Sequence, residues 1–145
     1  MSEKAKYLPW VAKERAKIGN VLIVEDDIAI RAILHNVLKK SFNITVVGNG
    51  LEALLWLSRG NNPDVILSDI SMPELDGFEF LRALSQSGLY NSIPVVILSG
   101  YDREKVKIQT LECINPKVFI SKPFDPLKVR DQLIYMMQGN HLHVS

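Results

Sequence analysis

Four apolar runs of the chain each stop on a residue that can do chemistry. Val21-Leu22-Ile23-Val24 gives way to Glu25-Asp26-Asp27, Val65-Ile66-Leu67-Ser68 to Asp69, Val95-Val96-Ile97-Leu98 to Ser99-Gly100, and Val118-Phe119-Ile120-Ser121 to Lys122-Pro123. A carboxylate that closes a buried strand is costly to bury unpaired, so it must face a partner or a cation. If the runs are parallel strands, Asp26, Asp27, Asp69, Ser99 and Lys122 converge on the carboxyl edge of one sheet, where open α/β sheets bind ligands. Three acidic side chains crowded there raise one another's pKa and call for a hard cation with oxygen ligands. Mg²⁺ suits the set, because it takes one or two carboxylates with waters and leaves positions for phosphate oxygens. A carboxylate beside such a cation can attack a phosphoryl group to give an aspartyl phosphate. Lys122 as a point charge and Ser99 as a hydrogen-bond donor could then hold the phosphoryl oxygens.

Each fragment has a plainer reading when taken alone. Asp26 and Asp27 would be a helix N-cap pair, Lys122 a solvated lysine, Ser99 a turn residue and Phe119 a core aromatic. Asp69 and Lys122 on matching strand ends reverse the reading of the acidic pair in favour of metal ligation. His35 reads as a surface residue of the first helix, His141 and His143 as tail residues, and Met136-Met137 as the end of a packed helix.

The elements that would position these residues alternate strictly along the chain. Strands are expected at Val21–Val24, Ile44–Val47, Val65–Ser68, Ile93–Ser99 and Val118–Ser121, with Pro94 near the start of its strand, where a missing N–H does least harm. Ile30, Ile33, Leu34, Val37 and Leu38 recur at helical spacing after the first strand, and Leu51, Leu54, Leu55 and Ser58 mark a second helix closed by Gly60-Asn61-Asn62-Pro63. Phe78, Leu81 and Leu84 give a third helix, Asp102 to Leu111 a weakly amphipathic fourth, and Asp125-Pro126 caps a fifth running through Leu127, Val129, Leu133, Ile134 and Met137. Five strands and five helices joined by right-handed crossovers specify a doubly wound α/β sandwich.

Length and composition agree. The 145 residues fit one domain, 47% are hydrophobic and 23% charged, and the net charge of +1 gives no electrostatic footprint for nucleic acid. The lone Cys113 excludes an intramolecular disulfide, and no run approaches the roughly 20 apolar residues of a membrane span, so a cytoplasmic protein is expected. Residues 1–18 are expected to form an N-terminal extension with a short helix, 19–139 the domain, and 140–145 a tail.

The acidic pair after strand one, Asp69-x-x-Met72-Pro73-x-x-Asp76-Gly77 after strand three, Ser99 after strand four and Lys122-Pro123-Phe124 after strand five together resemble the receiver domain of two-component response regulators, from about Asn20 to Gly139. The resemblance implies a flavodoxin-like fold with a five-stranded parallel sheet of order 2-1-3-4-5. It makes Asp69 the phosphoacceptor, Asp27 a direct Mg²⁺ ligand with Asp26 beside it or acting through water, and the Ser71 carbonyl the last protein ligand. Ser99 and Phe119 become the switch pair, Lys122 the phosphoryl partner and Lys122-Pro123 a cis peptide. Gly100 would leave access to the phosphoryl group, while Ser71 and Tyr101 would tune its lifetime. Leu111-Glu112-Cys113-Ile114-Asn115-Pro116 departs from the family's usual Gly-Ala-rich turn before strand five.

The function so implied is a stand-alone phosphorylation switch that catalyses only its own phosphorylation and dephosphorylation. Its phosphodonor would be a sensor histidine kinase or histidine phosphotransfer protein, its output an unidentified protein target, and it would bind neither DNA nor membrane. Homodimerisation is left open. A pseudo-receiver that binds partners constitutively is disfavoured by the complete Asp26, Asp27, Asp69, Ser99, Lys122 set. An aspartate-dependent phosphohydrolase is disfavoured by Ser71, which stands where that class carries a second aspartate.

Overall fold

A computed structural model describes residues 16–70, 77–100 and 118–138. Its elements run β1 (Gly19–Val24), α1 (Ile28–Leu38), β2 (Phe42–Val47), α2 (Gly50–Ser58), β3 (Val65–Asp69), α3 (Gly77–Gln86), β4 (Val95–Ser99), β5 (Val118–Ser121) and α4 (Pro126–Met137). The strands form one parallel sheet of order β2-β1-β3-β4-β5, the doubly wound, flavodoxin-like arrangement that the resemblance implies. The expected helix over 102–111 and both terminal segments lie outside the described residues.

β3 and β4 are buried along their whole length, which is why they read as unbroken apolar runs and not as alternating ones. Successive side chains of these strands serve opposite faces. Leu22, Val24, Ile66, Val95 and Ile97 pack with Ala53 and Leu57 of α2 and Phe80, Leu81 and Leu84 of α3. Val21, Ile23, Val65, Leu67, Val96 and Leu98 pack with Leu34 and Leu38 of α1 and Val129 and Leu133 of α4. Each such side chain contributes about 1.5–3 kcal/mol on burial.

The helices start where short polar side chains can accept orphan N–H groups. Asn49 Oδ1 accepts the Glu52 N–H at 2.9 Å, while Glu52 Oε2 reaches back to the Gly48 N–H at 2.6 Å, so two donors at the start of α2 are satisfied reciprocally. Asp125 Oδ1 accepts the Leu127 N–H at 2.9 Å ahead of Pro126, the first residue of α4. Gly60, just past the end of α2, adopts φ +91°, a left-handed conformation that glycine reaches without steric cost.

Three helical phases differ from the expected ones. In α2 the buried residues are Gly50, Ala53 and Leu57, whereas Leu51 and Leu55 are exposed. Leu51-Glu52-Ala53-Leu54-Leu55-Trp56-Leu57 is apolar almost all round, so periodicity cannot choose its inner face; the small Gly50 and Ala53 can approach the sheet most closely. In α1 Ile33 is exposed beside buried Leu34, and in α4 Leu127 is exposed because it lies in the first turn, beside the cap. Substituting Leu67 by Ala should cost about 2–5 kcal/mol in denaturant unfolding, whereas the same change at exposed Leu89 should stay within about 0.5 kcal/mol.

Candidate functional site at the carboxyl edge of the sheet

Asp69 is the last residue of β3 and is only 5% exposed. Its Oδ1 accepts the N–H of Ile70 at 2.7 Å, which fixes the plane of the carboxylate. Two strands away, the backbone N–H of Lys122 donates to the Ser99 carbonyl at 2.9 Å, carrying the β4–β5 pairing one residue past Ser99 and Ser121. That rung aims the Lys122 side chain inward. Its Nζ lies 3.2 Å from Asp69 Oδ2 and 3.0 Å from Glu25 Oε1, so one ammonium joins the ends of β1, β3 and β5.

Glu25 directly follows β1 and donates its N–H to the Val47 carbonyl at 3.0 Å, so the β1–β2 ladder runs through it. The residue is 1% exposed. Carboxylate oxygens of Glu25, Asp26 and Asp69 all lie within 4.8 Å of one another, with Glu25 and Asp69 buried and Asp26 open to solvent. Burial pushes the Glu25 carboxyl from 4.5 up to about 7; the Asp69 charge adds to the rise, and the hydrogen bond from Lys122 opposes it. Burial alone would lower the Lys122 ammonium, but Glu25 and Asp69 outweigh it and hold Lys122 above its ordinary 10.5.

One ammonium therefore faces three carboxylates. An excess of hard oxygen donors at the mouth of a buried site suits a small divalent cation, and the exposed carboxylate of Asp26 leaves an approach from solvent. The acidic group closest to Asp69 is displaced by one residue from the expected pair. Asp27 does not belong to it: Asp27 Oδ1 accepts the N–H groups of Ala29 and Ile30 at 2.9 and 3.1 Å, making Asp27 the N-cap of α1. Glu25 takes the inner place, and the Asp27 N–H contacts Glu25 Oε2 at 3.3 Å. The signal that identifies Glu25 is the helix that follows. Ile28-Ala29-Ile30 opens α1, so the preceding Asp27 must be its cap, and the pair left for the site is Glu25-Asp26.

The other expected site residues fall as follows. Ser99 ends β4 and is buried at 4% exposure. The Lys122-Pro123 bond is cis. Phe119 is half-buried and packs against the core beneath α2 and α3. Gly100 is exposed, and among the described residues a methyl group there would meet no atom within 4 Å. Ser71 and Tyr101 lie outside the described residues.

Comparison with known proteins gives the arrangement its family. The sequence model of the response regulator receiver domain matches residues 21–134. Two-component response regulator ORR5 of Oryza sativa subsp. japonica is 34% identical over 119 residues, covering 80% of this chain and 87% of that protein. Probable transcriptional regulator ycf29 of Pyropia yezoensis is 37% identical over 109 residues, covering 73% of this chain but 47% of that protein, so the chain spans about half the length of that relative. The signal receiver domain of a signal transduction histidine kinase from Syntrophus aciditrophicus superposes with a TM-score of 0.76 at 31% identity, covering 88% of this chain and 96% of that one. With the sheet order and the acidic site joined through Lys122, these matches show that the chain belongs to the response regulator receiver domain family of two-component systems.

Proposed function

We propose that the protein is a receiver domain that takes a phosphoryl group onto Asp69 from a sensor histidine kinase or histidine phosphotransfer protein. The observation that carries this reading is the pairing of Lys122 with both Asp69 and Glu25, inside a group of three carboxylates at the carboxyl edge of the sheet. Asp69 Oδ2, which faces the Lys122 ammonium, is the attacking oxygen. A new Oδ2–P bond forms as the N–P bond of the donor's phosphohistidine breaks, and the departing imidazole takes up a proton. Lys122 and the Ser99 hydroxyl then hold the phosphoryl oxygens.

Glu25, Asp26 and Asp69 are the side chains that would hold Mg²⁺, with the Ser71 carbonyl as a further ligand; the bound ion would supply charge neutralisation of the transferring phosphoryl group. Asp27, expected from the resemblance to ligate directly, serves instead as the cap of α1. Ser99 and Phe119 are the switch residues, Gly100 keeps the approach open, and Ser71 and Tyr101 set the lifetime of the aspartyl phosphate. The protein works in the cytoplasm and signals to a protein target. No described helix is long and apolar enough to cross a membrane.

Incubation with Mg²⁺ and acetyl phosphate should add a single phosphoryl group by intact mass, and Asp69→Asn should abolish it. Failure of every small donor to modify the wild-type chain would favour a constitutive partner-binding role, and rapid turnover of many small phosphoesters a hydrolase. Tyr101→Ala should shorten the life of the phosphoprotein several-fold; an unchanged or longer life would overturn the shielding role.

The pH dependence has a definite sign. Glu25 binds its proton more tightly in the folded chain, at about 7 against 4.5, so its contribution to stability is full below 4.5 and is lost as pH rises through 7. Without divalent cations, the stability gained by Glu25→Gln over wild type should therefore grow between pH 5 and about 7.5 in denaturant titrations. Divalent affinity of the wild type should rise over the same interval, with proton release visible by calorimetry, and this linkage should disappear in the variant.

A further inference from the structure

Among the described residues β2 is the terminal strand of the sheet; it runs Phe42-Asn43-Ile44-Thr45-Val46-Val47, six residues paired to β1 in unbroken register. It carries no charge, no proline and no bulge, the usual devices that blunt an edge. In a parallel pair, alternate residues turn their backbone groups toward the neighbour. The bond from the Glu25 N–H to the Val47 carbonyl places Val47, and hence Thr45 and Asn43, on the β1 side. Phe42, Ile44 and Val46 therefore present N–H and C=O groups outward. The next outward donor, the Gly48 N–H, is taken by Glu52 Oε2 at 2.6 Å, so the open ladder has a defined end.

We propose that this edge pairs with the same edge of a second copy, antiparallel about a two-fold axis through Ile44, joining two five-stranded sheets into one. In that register Ile44 faces Ile44 and Phe42 faces Val46, and three pairs that each exchange two bonds use every outward group from Phe42 to Val46. Asn43 of one copy stands opposite Thr45 of the other, a polar pair able to hydrogen-bond across the strands. The ends also match in charge. Lys39 and Lys40, exposed just before β2, fall beside Gly48 of the second copy, where the exposed Glu52 carboxylate accepts the Gly48 N–H and the Arg31 guanidinium also lies close. A parallel pairing would instead set Lys40 beside Lys40. The uncharged strand with cationic and anionic ends is thus complementary to its own reverse, which selects a second copy over an unrelated extended peptide.

This assembly does not depend on the phosphoryl-transfer reading, and it is tested without phosphodonor. Sedimentation of the full chain should show a monomer–dimer equilibrium. Asn43→Lys with Thr45→Lys sets like charges opposite each other twice per interface and should weaken dimerisation by about tenfold or more. Asn43→Lys with Thr45→Glu sets opposite charges in the same places and should restore it. If the first variant does not fold, Ile44→Cys in a Cys113→Ser background is the second route. Paired Cα atoms about 5.5 Å apart at that position lie within disulfide reach, so mild oxidation should cross-link the dimer. A wild type that sediments as a monomer at all concentrations would overturn the proposal. So would a dimer indifferent to both charge variants and uncrosslinked at position 44, which would place the contact on another face.

Discussion

The contact between the Lys122 ammonium and two buried carboxylates is the constraint on which the rest of the structure depends. Removing a charge from water costs several kcal/mol unless partners stand at hydrogen-bonding distance, and here three charges are withdrawn together. Glu25 and Asp69 cannot both remain buried and ionised without Lys122, and Lys122 cannot reach them unless β5 lies two strands from β3. The sheet order is therefore an electrostatic requirement as much as a packing one. The apolar layers on both faces supply the stability that permits so unfavourable a cluster at one edge.

The same cluster explains why a site of this kind can change state. Among the described residues its charges are unequal in number, three carboxylates to one ammonium, and the rise of Glu25 to about 7 comes first from burial, with the Asp69 charge adding to it. Anything that brings positive charge to the mouth relieves it, and anything that brings negative charge beside Asp69 competes with Glu25 for Lys122. Binding events are thus converted into rearrangements of one short contact, and because the site is built on strand ends, the rearrangement is felt in three strands at once.

Much of this was legible in the amino-acid order. Runs such as Val65 to Ser68 and Val95 to Leu98 are too short and too apolar to be surface helices, and their ends carry Asp69, Ser99 and Lys122. What the order concealed was phase. Glu25-Asp26-Asp27 offers three consecutive carboxylates, and the choice among them turns on where α1 starts, since the third caps that helix while the first turns in. α2 hid its inner face for a related reason, since leucines ring the helix and the choice fell to Gly50 and Ala53, whose signal is small size and not hydrophobicity. Ile33 and Leu127 likewise follow the apolar pattern yet lie outside the core, because a helix buries fewer residues than its periodicity nominates.

The single rung from the Lys122 N–H to the Ser99 carbonyl has an evolutionary consequence. It ties the ammonium and the hydroxyl together through the sheet and not through the chain between them. Insertions, deletions or wholesale replacement between residues 100 and 118 can remodel whatever surface that stretch presents without altering the spacing of these two groups. A lineage can therefore acquire new listeners while its chemistry stays in register, whereas a one-residue slip within β5 would turn Lys122 to the opposite face and silence every listener together.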